Sequence, residues 1–363
     1  LYPGFFGVNP YYEKLERYAE WENRDIWEYP LDLDAEQIGF VLLHLWELDD
    51  VGIPYYFFRQ NCSYQLVRLL AVAVPGLALG HGFPGVVAPV DTIRDVLERV
   101  SLAGEVRHRA SPATELRFAL KDLPAATQEL IGGLASGEVA TDDPRVQELP
   151  PRERAALLEA AYRGLRYRYA QGEYGEEAAR ERSHALLLAR SRASRGAATV
   201  VPRPAVRPDE GHGTALFAVA GGVQDDAGFV ELRLRPGYHG RLESAGGFPA
   251  DSTVGVLDTR VRWFPAESRL RLEEVVLLEL HSNTPRDGFF RPATWGLETG
   301  LRTRLFPEAD GDLDRSHVWR TRGSAGFSYT PFDAPVLLEA LVSLDLEVGA
   351  GFSPSWALGP GVE

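Results

Sequence analysis

The sequence predicts an α+β protein, with a mostly helical first half followed by an antiparallel β region of barrel type. Three observations carry this. Helix-start signals recur through the first half. Beyond residue 213 the apolar residues switch from helical spacing to strict alternation. Between the two halves, "VVPRPAVRPDEGHG" at 200–213 holds three prolines within seven residues, a composition that stiffens a linker. A chain of 363 residues exceeds one ordinary core, so two domains are expected: 1–199, a linker at 200–213, and 214–363.

The first element is "DAEQIGFVLLHLWELDD". Asp34 is a candidate N-cap with Gln37 three residues on, a capping-box pattern, and apolar residues follow at helical spacing over 35–49. After Pro54, "YYFF" at 55–58 suits a short, well-buried extended segment. Asn61 is a favoured N-cap, and "CSYQLVRLLAVAV" then sets Leu66, Leu69, Leu70 and Val74 on one stripe up to Pro75. Further helices are expected near 91–100, 122–135, 151–170 and 176–193. The last two, rich in Ala, Glu, Arg and Leu, read as a paired arm with solvated charged faces.

In the second half, "SRLRLEEVVLLEL" places Leu270, Leu272, Val276, Leu278 and Leu280 on one face and Arg269, Arg271, Glu273 and Glu279 on the other. "VLLEALVSLDLEV" repeats this with Leu338, Val342, Leu344 and Leu346 opposite Glu339, Asp345 and Glu347, as do "WGLETGLRTRL" and "FVELRLR". A soluble sandwich alternates too, but its outer faces usually carry Thr, Ser and Lys. Mixed Arg and Glu, on strands of about ten residues, is what an outer-membrane barrel needs, apolar toward lipid and polar toward the lumen. The count is about seven strands where bacterial single-chain barrels use an even number from eight up, so the barrel is expected to be incomplete at its C-terminal end.

Charge and composition bound the partners. A net charge of −14 repels nucleic acid and anionic surfaces, so neither is expected as an electrostatic partner. No run of about 18 apolar residues is present to span a membrane as a helix. The chain starts at Leu1 and holds no methionine, which reads as a fragment or a processed product.

The chemistry centres on the single cysteine, Cys62. Directly after the cap Asn61, it falls in the first turn of a helix, where unpaired backbone N–H groups and the macrodipole stabilise a thiolate and can serve an oxyanion. A lone Cys among aromatic residues is equally an apolar filler, since free Cys is among the most buried residue types. His44, with Glu47 three residues later on the same helix face, is a candidate base with its orienter; the plainer reading is a core-edge histidine beside a surface carboxylate. Tyr64 is a neighbouring candidate for substrate contact, as is Asn61. His81 and His108 lie elsewhere, and the remaining histidines are scattered singly, so no metal site and no cofactor are expected. "NCS" is formally a glycosylation triplet, read here as a false positive.

Several stretches in order, "YPGFFGVNPYYEKLERYAEWENRDIWEYPLDL", "LLHLWEL", "YYFFRQNCSYQLVRLL" and "VVAPVDTIRDVL", resemble the Lnb N-terminal periplasmic domain family of Gram-negative bacteria. The second half, with "ELRLRPGYHG" and "LLELHSNTPRDGFFRPATWGLETGLRTR", resembles the barrel-like region that follows this domain in many members. The resemblance implies a papain-like, circularly permuted NlpC/P60-type fold in which Cys62 of the Asn-Cys-Ser-Tyr motif is the nucleophile. It also implies a thiol hydrolase or acyltransferase acting on peptidoglycan, lipid or peptide substrates, in the periplasm at an outer membrane whose lipid the barrel contacts. The family's histidine is expected on a Gly-His strand upstream of "YPGFFG". No such segment is in this chain, and His44 is the one histidine before Cys62. The alternative is a non-catalytic envelope scaffold, with the helical domain plugging or gating the barrel.

Overall fold

The computed structural model describes residues 2–78, 80, 85–193, 200–249, 251–307, 313–331, 336–349 and 352–362. Its contacts divide the chain into two units, one formed by 1–6, 33–101 and 204–363, the other by 7–32 and 102–203. The stretch read from sequence as one domain over 1–199 is thus shared between both units.

In chain order β1 (Tyr2–Gly4) is followed by α1 (Tyr11–Leu15), a π-helical turn (Glu16–Trp21), β2 (Ile26–Glu28), α2 (Ala35–Glu47), β3 (Ile53–Tyr55), α3 (Cys62–Leu70) and α4 (Pro89–Arg99). Then come β4 (Arg107–Arg109), α5 (Pro112–Leu120), α6 (Ala125–Ser136), α7 (Pro144–Gln147), α8 (Pro151–Ala170) and α9 (Glu176–Ala193). The remainder is strand: β5 (Leu216–Gln224), β6 (Ala227–Arg235), β7 (Gly237–His239), β8 (Ser252–Phe264), β9 (Arg269–Ser282), β10 (Thr294–Pro307), β11 (Leu313–Tyr329), β12 (Leu338–Gly349) and β13 (Phe352–Val362).

The capping box of α2 forms: Asp34 Oδ1 accepts the Gln37 N–H at 2.8 Å and Gln37 Oε1 accepts the Asp34 N–H at 3.0 Å. Gln37 Nε2 also donates to Ala73 O just beyond α3, at 3.2 Å, so the cap residue ties α2 to its neighbour. Nothing on α2 is buried, however, and Leu42, Leu43 and Trp46 stand exposed. Tyr55–Phe58 also departs from expectation. Pairing of β3 with β1 stops at Tyr55. Tyr56 O then takes the N–H groups of Arg59 and Gln60, closing a turn that leaves Phe57 exposed.

The second unit packs α5, α6 and α9 around α8, burying Leu116, Ile131, Leu134, Leu158, Leu165 and Leu186. The expected solvated arm is therefore half right. Ala155, Ala160, Ala161 and Gly164 give α8 a small-residue surface on which its neighbours close, whereas α9 buries only Ala179 and Leu186. Helix α5, started by Ser111 Oγ accepting the Thr114 N–H with Pro112 at its first position, was not read from the sequence, although Ser followed by Pro is a helix-start signal.

The β region is one antiparallel meander in the order β13-β12-β11-β10-β9-β8-β6-β5, with β7 pairing β8 beyond the end of β6; the described residues form nine strands where the sequence suggests about seven. Alternation on β12 is complete: Leu338, Val342, Leu344, Leu346 and Val348 are exposed, while Glu339 is buried and Asp345 and Glu347 are half-buried. On β9 one residue leaves its predicted face. Register shifts at Glu273 and at Leu277 put Val276 among the polar side chains and return Leu278 to the apolar face. Closure into a barrel needs the first and last strands to pair. Among the described residues β5 and β13 each pair on one side only, so the sheet is open. No described helix is long and apolar enough to cross a membrane.

Candidate functional site

Asn61 organises the cysteine. Its backbone is extended (φ −79°, ψ −175°), and its Oδ1 accepts both the Tyr64 N–H at 3.1 Å and the Ser63 hydroxyl at 2.8 Å. The amide nitrogen donates to Val87 O at 2.9 Å and Phe57 O at 3.3 Å. At 7% exposure, with both side-chain polar atoms engaged by protein, Asn61 acts as the pin that joins the 56–60 turn, α3 and the segment before α4.

Cys62 follows at the first position of α3, and its side chain is exposed. The filler reading would bury it. Behind it Val67 and Leu69 fill the core and hold the helix, so the thiol is presented outward on a fixed turn. The N–H groups of Cys62 and Ser63 have no acceptor among the described residues, as expected for the first turn of a helix whose third N–H is taken by the cap. A thiolate or an acyl oxygen placed here meets the positive end of the helix.

His44 and Glu47 are also together: His44 Nδ1 lies 3.1 Å from Glu47 Oε2 on the solvent side of α2. The structure does not join this pair to the thiol, since among the described residues no hydrogen bond links His44 and Cys62. Of the other histidines considered, His81 lies outside the described residues. His108 belongs to the other unit, where its Nε2 is 3.1 Å from Asp25 Oδ2 and its ring lies 4.8 Å from that of Trp27. Among the described residues no group of three or more metal-ligating side chains comes together.

A second constellation was visible in sequence only as mixed charge. The polar face of the sheet bounds a cavity of about 470 Å³ lined, among the described residues, by six arginines and six carboxylates. They are paired across strands. Asp258 receives Arg233 at 2.6 Å and Arg235 at 3.2 Å, Glu274 receives Arg302 at 2.6 Å, and Glu339 receives Arg241 at 3.0 Å. Residues distant in sequence make these pairs, on neighbouring strands or, for Arg241, from the loop after β7, so no local spacing could announce them. The same unit ties α4 to the start of the sheet. Arg94 donates to the carbonyls of Asp209, Gly211 and His212, each at 3.0 Å, and Asp91 accepts the Thr214 hydroxyl.

The first unit thus holds an exposed thiol on a capped helix and a sheet with one apolar and one ionic face. Residues 1–99 match the family described as Lnb N-terminal periplasmic domain, the family that the ordered motifs suggested, and the location that goes with this match is periplasmic or envelope. Residues 106–202 and 205–363 match two further families, each described as a domain of unknown function (DUF7842 and DUF7840). The breaks between matches, at 99/106 and 202/205, lie close to the changes of unit at 101/102 and 203/204. No curated protein and no solved structure matches the chain.

Proposed function

We propose that the chain is an outer-membrane protein whose β region stands in lipid as a barrel wall and carries a periplasmic domain with Cys62 as the nucleophile of a thiol hydrolase or acyltransferase. The observation that carries the reading is the inverted sheet: Leu338, Val342, Leu344, Leu346 and Val348 exposed, Glu339 and Glu347 turned inward on the same strand. In water such a face is costly, since monomeric soluble proteins rarely expose contiguous apolar patches beyond a few hundred Å². In lipid it is the required arrangement. Strands β9, β10 and β12, of 14, 14 and 12 residues, exceed the roughly 9–11 that a tilted strand needs to span the hydrocarbon.

The catalytic part rests on Cys62. Its thiolate attacks the acyl carbon of an amide or ester, and the N–H groups of Cys62 and Ser63 receive the oxyanion. The leaving group departs with a proton, and water or an acceptor takes the acyl group from the thioester. His44 oriented by Glu47 is the base in this reading, Tyr64 flanks the substrate, and the fold is of the papain-like, permuted NlpC/P60 kind. Peptidoglycan, lipid or peptide supplies the acyl group. Alkylation by iodoacetamide across pH tests the thiol: fast labelling of folded protein with a midpoint well below that of a free thiol supports it, and labelling only on unfolding refutes it. Fractionation tests the wall: the chain should stay with outer membranes after carbonate washing and run as a heat-modifiable band, and release into the wash would refute it.

The second reading is a non-catalytic envelope scaffold, favoured by the lack of a hydrogen bond between His44 and Cys62 among the described residues. Acceleration of labelling that survives His44→Ala but vanishes with Asn61→Ala would point to a helix-activated thiol without this base.

A further inference from the structure

We propose that the loop at 240–249, between β7 and β8, is a latch: the Arg241–Glu339 ion pair holds it across one end of the charged cavity, and its release admits small hydrophilic ions and solutes. The inference rests on the barrel-wall reading for its transport arm only; the latch itself stands on contacts within one unit.

Reach is the first argument. β7 pairs with β8, yet Arg241 closes on β12, four strands further along the meander, so the loop spans the concave face instead of lying against its own hairpin partner. Arg241 Nη2 meets both Glu339 oxygens, at 3.0 and 3.1 Å, while Asn283 Nδ2 and, at 3.5 Å, the Ser328 hydroxyl complete the carboxylate's shell. The second argument is asymmetry. The Glu339 side chain is 1% exposed and the Arg241 side chain 44%. A carboxylate so deeply placed calls for a cation, and the cation supplied comes from a loop in place of a strand.

Both ends of the loop are held, since β7 pairs with β8 up to His239 and Phe248 packs back on that histidine. Phe248 stacks on His212 at 4.3 Å and on His239 at 4.7 Å, and the backbone of Gly247, at φ +82°, passes so close to Arg207 O that a side chain would collide. His212 is in turn gripped through its carbonyl by Arg94 of α4, so the anchor joins the Lnb-type domain to the latch. In its middle Leu242 is 99% exposed and Ser244 and Ala245 are exposed, and the Arg241–Glu339 pair ties this stretch to β12. Apart from this pair the cavity is lined, among the described residues, by five arginines and five carboxylates, so it offers a polar path with no excess of either sign.

Glu339→Gln keeps an oxygen for Asn283 and Ser328 but removes the charge that holds Arg241. Full-length chain in detergent micelles is treated with trypsin, and cleavage after Arg241 is followed by mass spectrometry. The variant should be cut there about tenfold faster than the wild type, the ratio expected when a charge-assisted contact controls the open population. Arg241→Lys, which preserves the cleavage site and one charge, should fall between. If Glu339→Gln unfolds the sheet, cleavage after Arg235 and Arg260 will rise together with that at position 241, and Arg241→Lys then decides alone. Wild-type cleavage rates at position 241 in the folded variants overturn the latch. In planar bilayers the wild type should be closed and Glu339→Gln should conduct anions and cations alike. A wild-type chain that never enters the bilayer refutes the membrane wall, and the trypsin comparison still judges the latch.

Discussion

Asn61 concentrates four hydrogen bonds in one buried side chain, and together they reach three parts of the cysteine's surroundings. Asn61→Ala removes a helix cap and strands the carbonyl of Val87, so a loss of about 1–3 kcal/mol is expected in denaturant unfolding, together with slower alkylation of Cys62. Asp25 plays a similar part in the other unit. It accepts from the Ser111 N–H at 2.8 Å and the Thr114 hydroxyl at 2.7 Å and faces His108. Burial by itself would raise the Asp25 carboxyl, but the Ser111 N–H, the Thr114 and Ser111 hydroxyls and His108 outweigh it and hold the group below its ordinary value. A carboxylate depressed in the folded state stabilises above its unfolded value and loses that contribution as pH falls through the folded one. Asp25→Asn should therefore lower stability by about 1–2 kcal/mol at neutral pH, with the gap to wild type shrinking in urea titrations carried out at about pH 3. A gap that does not shrink would remove the charge from the explanation.

Most elements with local signals were legible, α5 with its Ser111 cap being an exception. Asp34 and Gln37 announce α2, Asn61 announces α3, and the long Ala/Leu/Arg stretches give α8 and α9. Asp34→Ala should cost about 1 kcal/mol, read from the unfolding midpoint, because the N-cap bond is lost while Gln37 keeps its tie to Ala73. The strand period was legible too, but not the register shifts, which answer to the neighbouring strand. Gly300 lies at the shift opposite Leu277, where a Cβ would overlap Val275 O and come within 2.7 Å of the Val276 Cα. Gly300→Val forces backbone apart at the point where β9 bulges. We expect a loss of about 1–3 kcal/mol, and Val276 displaced from the polar cavity should show in the solvent accessibility of Glu274. A fully wild-type midpoint would mean that the strands tolerate separation there.

For the whole molecule, the arrangement of apolar residues decides the environment. Val342 and Leu344 are 56% and 52% exposed, on a strand whose other face is ionic. Val342→Arg should weaken insertion into lipid by about 2–4 kcal/mol near the midplane, measured by folding into vesicles, while a substitution at Ser343 on the polar side should be tolerated. Equal tolerance on both faces would speak for a water-soluble sheet.

The sequence by itself determined the helical half, the caps, the alternating strands and the presence of one cysteine at a helix start, because each depends on residues within a few positions of one another. Only the tertiary structure decided that the thiol is exposed, that among the described residues His44 makes no bond to Cys62, that residues 7–32 group with 102–203, and that Arg241 reaches Glu339. These are contacts across tens of residues. They follow from how elements pack and how far a sheet curls, and no periodicity along the chain records them.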